Sequence, residues 1–362
     1  MPLFLDLHHL PEGITAAHVA EMHQADLDLE HKYNCRGLTY WCDEKRKTAF
    51  CLIEAPNKEA LIELHENAHG AIPTQIIEVN DTIVESFLGR IEDPEKSKNI
   101  RLNIVNEPAF RTLLVVKIKH KILRTSAIPT LKAALRGYAQ SIKAATSEYK
   151  GRLVKQEANT FLMAFDTVTN AIHCGIKIED AYHDGITPDL EFKIGISAGT
   201  PVTEKEHIFE DTIKLSDYLS DVAKGSFSIT EMVNDLYEGE NQNKRLAHKS
   251  ITVLTTVEED FMRSLMTYTE KIWSQNEVGV RDFEKNLVYS KSQLYRMMMN
   301  LVGKSPNIFL RDYRLNKALE LIKKHSGNVS EIAYQTGFSS PAYFSKCFHK
   351  KYGILPSNFT LS

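Results

Sequence analysis

The chain has 362 residues, 43% of them apolar and 25% charged, more than one ordinary domain needs and enough for several cores. No run approaches the ~18 consecutive apolar residues of a membrane span, and MPLFLDLHHLPEG has no basic start ahead of a long apolar stretch, so neither a membrane helix nor a secretory signal is expected. The net charge of −3 is unevenly placed: Arg281–Ser362 hold 13 Lys and Arg against 5 Asp and Glu, a balance of +8, which leaves −11 on the preceding 280 residues. A basic end on an acidic body points to a polyanion-binding module joined to something of another kind.

Residues 1–85 read as β-α-β-β-α-β. PLFLDLHHL is a strand, TAAHVAEMHQADLDLEHKY a helix, GLTYWCDEKRKTAFCLIEA a hairpin turning at Asp43–Lys47, NKEALIELHENAHG a helix and TQIIEVN a strand. That order is the ferredoxin-like sandwich. Seven of the 14 histidines lie here, at 8, 9, 18, 23, 31, 65 and 69. His65 and His69, four apart on the second helix, share a face and form a fork suited to a divalent metal. His23 sits on the first helix, and His8 and Cys51 sit on strands able to converge with it. Imidazole with one thiolate suits zinc, nickel or copper; the competing reading is that each histidine is a surface or hydrogen-bonded residue. The five cysteines of the chain, at 35, 42, 51, 174 and 347, are too few and scattered for a disulfide framework, so a reduced, cytoplasmic protein is expected.

The stretches FLDLHHLPEGITAAHVAEMHQADL, YWCDEKRKTAFCLIEAP and HENAHGAIPTQIIEV resemble a family of small bacterial ferredoxin-like proteins, some of them nickel-binding. The resemblance implies a site drawn from His8, His23, Cys51, His65 and His69, with Glu63 and His9 in reserve, and nickel or another divalent transition metal as cofactor.

Residues 108–240 read as a second α/β unit. TLLVVKI and EFKIGISAGTPV are strands, RLVKQEANTFLMAF is a hairpin, and PTLKAALRGYAQSIKAATSEYKG and VTNAIHCGIKIEDAYHD are helices. KQEANTFLMAFDTVTNAIHCGIKI and FKIGISAGTPV, with FEDTIKLSDYL more loosely, resemble a class III nucleotide-cyclase domain. A cyclase needs two carboxylates to hold metal ions; the matching positions are Lys117 and Asn159, while Lys214 and Tyr218 fall where the family places its Asn and Arg. A lysine at a metal-ligand position repels the ion. The resemblance therefore implies a degenerate domain without catalysis, and no catalytic residues are assigned. The polar run NQNKRLA, within 241–257, reads as a linker.

The last stretch, 258–362, holds an internal repeat at an offset of 50. SKSQLYRMMMNLVGKSPNIF (290–309) lies over SPAYFSKCFHKKYGILPSNF (340–359), matching Ser290 to Ser340, Gly303 to Gly353, Pro306 to Pro356 and Phe309 to Phe359. Each copy opens on a serine suited to N-capping, and the second adds Pro341 at the first helical position. Leu294, Met297, Met298 and Leu301, like Phe344, Cys347 and Phe348, recur at helical spacing and form a core stripe. A short helix precedes each copy (Val329 to Gln335 in the second, before a Gly337 turn), which is a helix-turn-helix layout. The first copy has no glycine in its turn. PNIFLRDYRLNKALELIKK reads as one long helix holding the two units apart, as two successive major grooves roughly 34 Å apart require.

SKSQLYRMMM, GKSPNIFLRDYRLNKALELI, VSEIAYQTGFSSPAYFSKCF and KKYGILPSNF resemble the AraC/XylS family over about residues 258–362, with VEEDFMRSLMTYTEKIW as an introductory helix. The resemblance implies that Ser292, Gln293, Tyr295 and Arg296 in the first unit, and Pro341, Ala342, Tyr343 and Lys346 in the second, face bases. Lys350 joins Lys346 on phosphates. Arg296 is suited to bidentate pairing with guanine, worth roughly 1–3 kcal/mol of discrimination. The expected whole is a multidomain chain: two α+β sandwiches, ferredoxin-like and cyclase-like, then an all-α double helix-turn-helix domain. It implies a transcriptional regulator acting on double-stranded DNA as a homodimer, with RNA polymerase as a further partner and no membrane. A metal-storage protein and a regulator answering to a small organic effector without metal are the alternatives.

Overall fold

Strict alternation along the first strand sets the arrangement of the N-terminal half. In β1 (Leu3–His9), Leu3, Leu5 and Leu7 enter one apolar cluster while Phe4 enters another, because successive side chains leave opposite faces. The same division recurs in β2 (Arg36–Asp43) and β3 (Thr48–Glu54): Trp41, Phe50 and Leu52 join the leucines, whereas Tyr40, Cys42, Cys51 and Ile53 join Phe4. With β4 (Gln75–Val79) these strands form an antiparallel sheet in the order β2-β3-β1-β4. One face is covered by α1 (Ala16–Leu29) and α2 (Lys58–Ala68). A further helix, α3 (Asp81–Leu88), follows β4. The computed structural model describes residues 1–94, 102–120, 128–184, 190–242 and 244–358; Phe359, matched to Phe309 above, lies outside them.

The other face of this sheet packs on a second one. Leu3, Leu5, Leu7, Phe50 and Leu52 share a cluster with Leu113 and Val115 of β5 (Arg111–His120) and with Leu162 and Ala164 of β7 (Thr160–Phe165). The second sheet runs β10-β9-β8-β5-β7-β6, adding β6 (Arg152–Glu157), β8 (Leu190–Gly199), β9 (Phe227–Thr230) and β10 (Ile251–Leu254). Its far face buries Leu114, Val116, Phe161 and Met163 under α4 (Ile128–Glu148), α5 (Val168–Asp184) and α7 (Glu231–Glu240). The two sheets are thus stacked between helical layers. α6 (Glu210–Val222) lies beside the first sheet, pressed onto β8 where Gly195 leaves no room for a side chain.

A buried arginine ties the layers together. Arg111, 1% exposed, donates from Nε to the Phe87 carbonyl and from its terminal nitrogens to Leu88 and Pro108. Its charge thus meets the orphan carbonyls at the end of α3. Asp166, 3.0 Å away, balances it.

The span 241–257, expected to be a linker, ends in regular structure. Its Ile251–Leu254 form β10, paired parallel with β9, and Thr255 caps the next helix at once. The β-branched run ITV was hidden in the sequence behind the polar residues preceding it.

The C-terminal region is helical: α8 (Thr256–Ile272), α9 (Val280–Leu287), α10 (Lys291–Leu301), α11 (Pro306–Lys323), α12 (Val329–Gln335) and α13 (Pro341–Tyr352). Ser290 and Ser340 cap α10 and α13 by accepting from Gln293 and Tyr343 backbone N–H groups, and Pro341 opens α13. α11 serves two cores. Its Phe309, Leu310 and Tyr313 pack with Phe261, Leu294 and Met298, and its Leu315, Ala318 and Ile322 pack with Ile332, Phe344 and Phe348. The first of these cores also takes in Leu215, Tyr218 and Leu219 of α6.

Candidate metal centre and nucleic-acid interface

The inward face of the first sheet carries polar groups where apolar ones would be ordinary. Asp6 continues the Phe4 side of β1 and lies opposite Cys51 in the strand register; it is fully buried and accepts the Cys51 backbone N–H at 3.1 Å. His8 follows two residues on. From the helices come Asp26 and His65, also buried, and His69 at the C-terminal cap of α2.

His65 stands between two carboxylates: Nε2 is 2.9 Å from Asp6 Oδ2 and Nδ1 is 3.0 Å from Asp26 Oδ1. His69 Nε2 approaches the same Asp26 at 3.2 Å. Burial alone would depress the His65 imidazole, but the hydrogen bonds and charges of Asp26 and Asp6 raise it to about 10. Burial would raise Asp6, yet His8 and His65 hold its carboxyl well below the usual range, and His65 and His69 do the same for Asp26. Burial, with Asp6 and Asp26 nearby, pushes the Cys51 thiol up. His8 Nε2 lies 3.3 Å from Asp6 Oδ1, out of line for a hydrogen bond, and is a buried polar atom without a hydrogen-bond partner.

Asp6, His8, Cys51 and His65 each offer a donor atom within 4.8 Å of the others, and Asp26, His65 and His69 form a second such group. Four of the five sequence-derived candidates, His8, His23, Cys51 and His69, line one cavity of about 290 Å³; the fifth, His65, lies behind its wall. His23 belongs to neither donor group. Its Nε2 is 3.3 Å from Asp93 Oδ2, on the segment that crosses from α3 toward β5. His9 also borders the cavity, whereas Glu63 is exposed on α2. Sequence reasoning missed Asp6 and Asp26. Asp6 had a signal, since an acidic residue at an inward position of an apolar strand must find a partner; Asp26, three residues after His23, shares its helix face.

In the second sheet, the Lys117 ammonium is 2.8 Å from Asp217 Oδ1, so its charge is neutralised. Asn159 sits in the β6–β7 turn, Lys214 pairs with Glu210 and Tyr218 reaches Glu270.

At the C-terminal end, Ser292, Tyr295 and Arg296 are exposed along α10, and Ala342, Tyr343, Lys346 and Lys350 along α13, with Pro341 half-buried. Gln293 is exposed too, but its carbonyl oxygen accepts from the Ser290 N–H and hydroxyl in the cap. No ion pair engages Arg296 or Lys346 among the described residues. The turn before α10 contains no glycine; Val288 takes the left-handed conformation there, at φ 59°, with 87% of its surface exposed.

Two family models match. Residues 4–79 fit the family described as nickel responsive protein SCO4226-like, and residues 285–361 fit a helix-turn-helix domain family. The solved structure of SCO4226 from Streptomyces coelicolor A3(2) is 38% identical, covering 21% of this chain and 94% of that one, with a TM-score of 0.20. Histidine kinase P4 of Formosa agariphila is 31% identical over 116 residues, 32% of this chain and 8% of that protein. The uncharacterized HTH-type transcriptional regulator YdeC of Bacillus subtilis is 32% identical over 92 residues, 25% of this chain and 30% of that protein. The chain thus spans under a third of the length of either curated relative. The chain carries an AraC-type helix-turn-helix domain at its C-terminus and a domain matching the family described as nickel responsive protein SCO4226-like at its N-terminus.

Proposed function

We propose that this chain is a DNA-binding transcriptional regulator whose N-terminal domain responds to a divalent transition metal, nickel foremost. The two capped helices α10 and α13 carry the DNA reading. Each presents an exposed cation without an ion pair among the described residues, Arg296 or Lys346, from a separate small core, and α11 fixes the spacing of those cores. Arg296 with Ser292 and Tyr295 is suited to base edges, while Lys346 and Lys350, beside the poorly hydrogen-bonding Pro341 and Ala342, are suited to phosphates. Gln293 is partly spent on capping. The chain acts as a homodimer, with RNA polymerase as a further partner, and performs no catalysis of its own: the ion pair at Lys117 replaces the carboxylate that a cyclase would use.

The metal fits the donors present. His8 Nε2 is buried without a hydrogen-bond partner, and a thiol and a carboxylate stand within reach of it; mixed N, S and O donors suit nickel or zinc. His8 and Cys51, with Asp6, would hold the ion, and the bound cation would supply a fixed positive charge among these groups. His65 has both ring nitrogens engaged and orients Asp6 and Asp26. His69 and His23 line the same cavity, and His23 Nε2 would ligate an ion only by leaving Asp93. We read the two stacked sheets as the ferredoxin-like and degenerate cyclase-like units, with the regions before and after residue ~108 as separate domains.

The test is elemental analysis of the purified chain, followed by anisotropy titrations of promoter fragments with and without nickel. Bound nickel together with a nickel-dependent change in DNA affinity is the expected result. DNA binding unaffected by metal would leave the regulator and remove its proposed effector.

A further inference from the structure

The cavity beside the metal-donor groups is far larger than an ion requires. Its volume is about 290 Å³, roughly twice the ~150 Å³ void in which a benzene ring is known to fit. Its lining mixes two chemistries: His8, His23, Cys51, Asp26 and His69 on the one hand, Leu10, Pro11, Ile14, Met22 and Ile72 on the other. Ile72, just after α2, is 54% exposed, an apolar residue spent on the rim of an opening. A bare ion would use the polar groups and leave the apolar ones facing water, with nothing gained from them. A purely apolar guest would make no polar contact with the imidazoles and thiol of the same lining.

We propose that the cavity takes a metal ion together with an organic co-ligand: a compact, largely apolar molecule, aromatic or branched aliphatic, bearing one nitrogen or oxygen donor. The donor coordinates the ion held by the polar side chains, and the apolar body lies against Ile14, Met22 and Ile72. This rests on the metal reading above and narrows it, because the effector becomes a metal–ligand pair and its shape is read by an apolar wall.

The experiment uses the full chain loaded with nickel and two probes that share a donor, imidazole and 4-phenylimidazole, titrated calorimetrically. The phenyl-bearing probe should bind at least about tenfold tighter, from the apolar surface it buries. Ile72→Asp, a change at an exposed position away from the donors, should keep nickel uptake and lose that advantage. Equal affinities of the two probes, or an advantage that survives Ile72→Asp, overturns the inference and leaves the metal reading standing. Failure of the chain to retain nickel overturns both.

Discussion

The backbone N–H of Lys224 donates to the Leu301 carbonyl at 2.7 Å, so the chain leaving α6 is bonded directly to the end of α10. Around this bond Leu215 and Leu219 share a core with Phe261, Leu265 and Leu294. The helix packed on the second sheet and the first helix-turn-helix unit therefore share one apolar core. Leu219→Ala, at a fully buried position, should cost about 2–5 kcal/mol and lower the hydrogen-exchange protection of β8 and α10 together. Loss confined to β8 would mean that the shared core does not couple them.

Val288 is the most exposed large apolar residue in this part of the chain and holds a conformation that β-branched side chains resist. Left-handed backbone costs an L-residue about 1–2 kcal/mol, and the extra chain entropy of glycine returns part of that. Val288→Gly is thus expected to stabilise the fold by roughly 0.5–1 kcal/mol, read as a higher urea midpoint. A lower midpoint would show that this turn is not strained.

The two exposed cations should separate in their effects. Arg296→Ala is expected to cost about 1–3 kcal/mol on the best DNA site and much less on mismatched sites. Lys346→Ala should weaken all sequences alike and reduce the slope of affinity against salt by about one. Competition titrations at several salt concentrations distinguish the two. Uniform weakening by both substitutions would remove the base-reading role of Arg296.

His65 gives the N-terminal domain a defined pH window. Its folded value is raised to about 10 from 6.5, so its contribution is complete below 6.5 and is lost as pH rises through about 10. Asp6 and Asp26 are held below 3.8, so theirs is complete above that value and is lost as pH falls through their lowered range. Thermal midpoints should accordingly plateau between pH 3.8 and 6.5 and fall from there toward pH 10. His65→Gln removes the imidazole between the two buried carboxylates and leaves only His8 and His69 beside them, costing about 3–5 kcal/mol, and should abolish the alkaline fall. An unchanged alkaline limb in that variant would place the titration elsewhere.

Metal affinity should depend on groups behind the donors as well as on them. Asp26→Asn removes the carboxylate that orients His65 and His69 and is expected to weaken nickel binding about 10- to 100-fold. His8→Ala should weaken it further. Equilibrium dialysis measures both, and equal retention by His8→Ala would exclude that residue as a ligand.

Much of this molecule was legible in its sequence wherever a short-range rule applied. Period-two alternation gave β1 to β4, and the serines before α10 and α13 gave two helix starts. The histidines gathered because β1, α1 and α2 follow one another and return to one sheet face. What escaped depended on longer range. Asp6 and Asp26 matter only because His65 comes between them. β10 was concealed by its shortness and by its pairing with β9, a relationship that no local pattern reports. The shared core of α6 and α10 joins residues about 80 apart in the chain, and each apolar stripe by itself only says that some partner exists.

Leu254 ends β10 and Thr255 caps α8, leaving a single residue between sheet and helix. Such a junction has no slack in which a swing could be absorbed. A tilt of the sheet edge must emerge as a tilt of α8, in the manner of a lever on a fixed pivot. Whatever the upper layers sense would then reach the nucleic acid as a change of angle, with no tethered part set free.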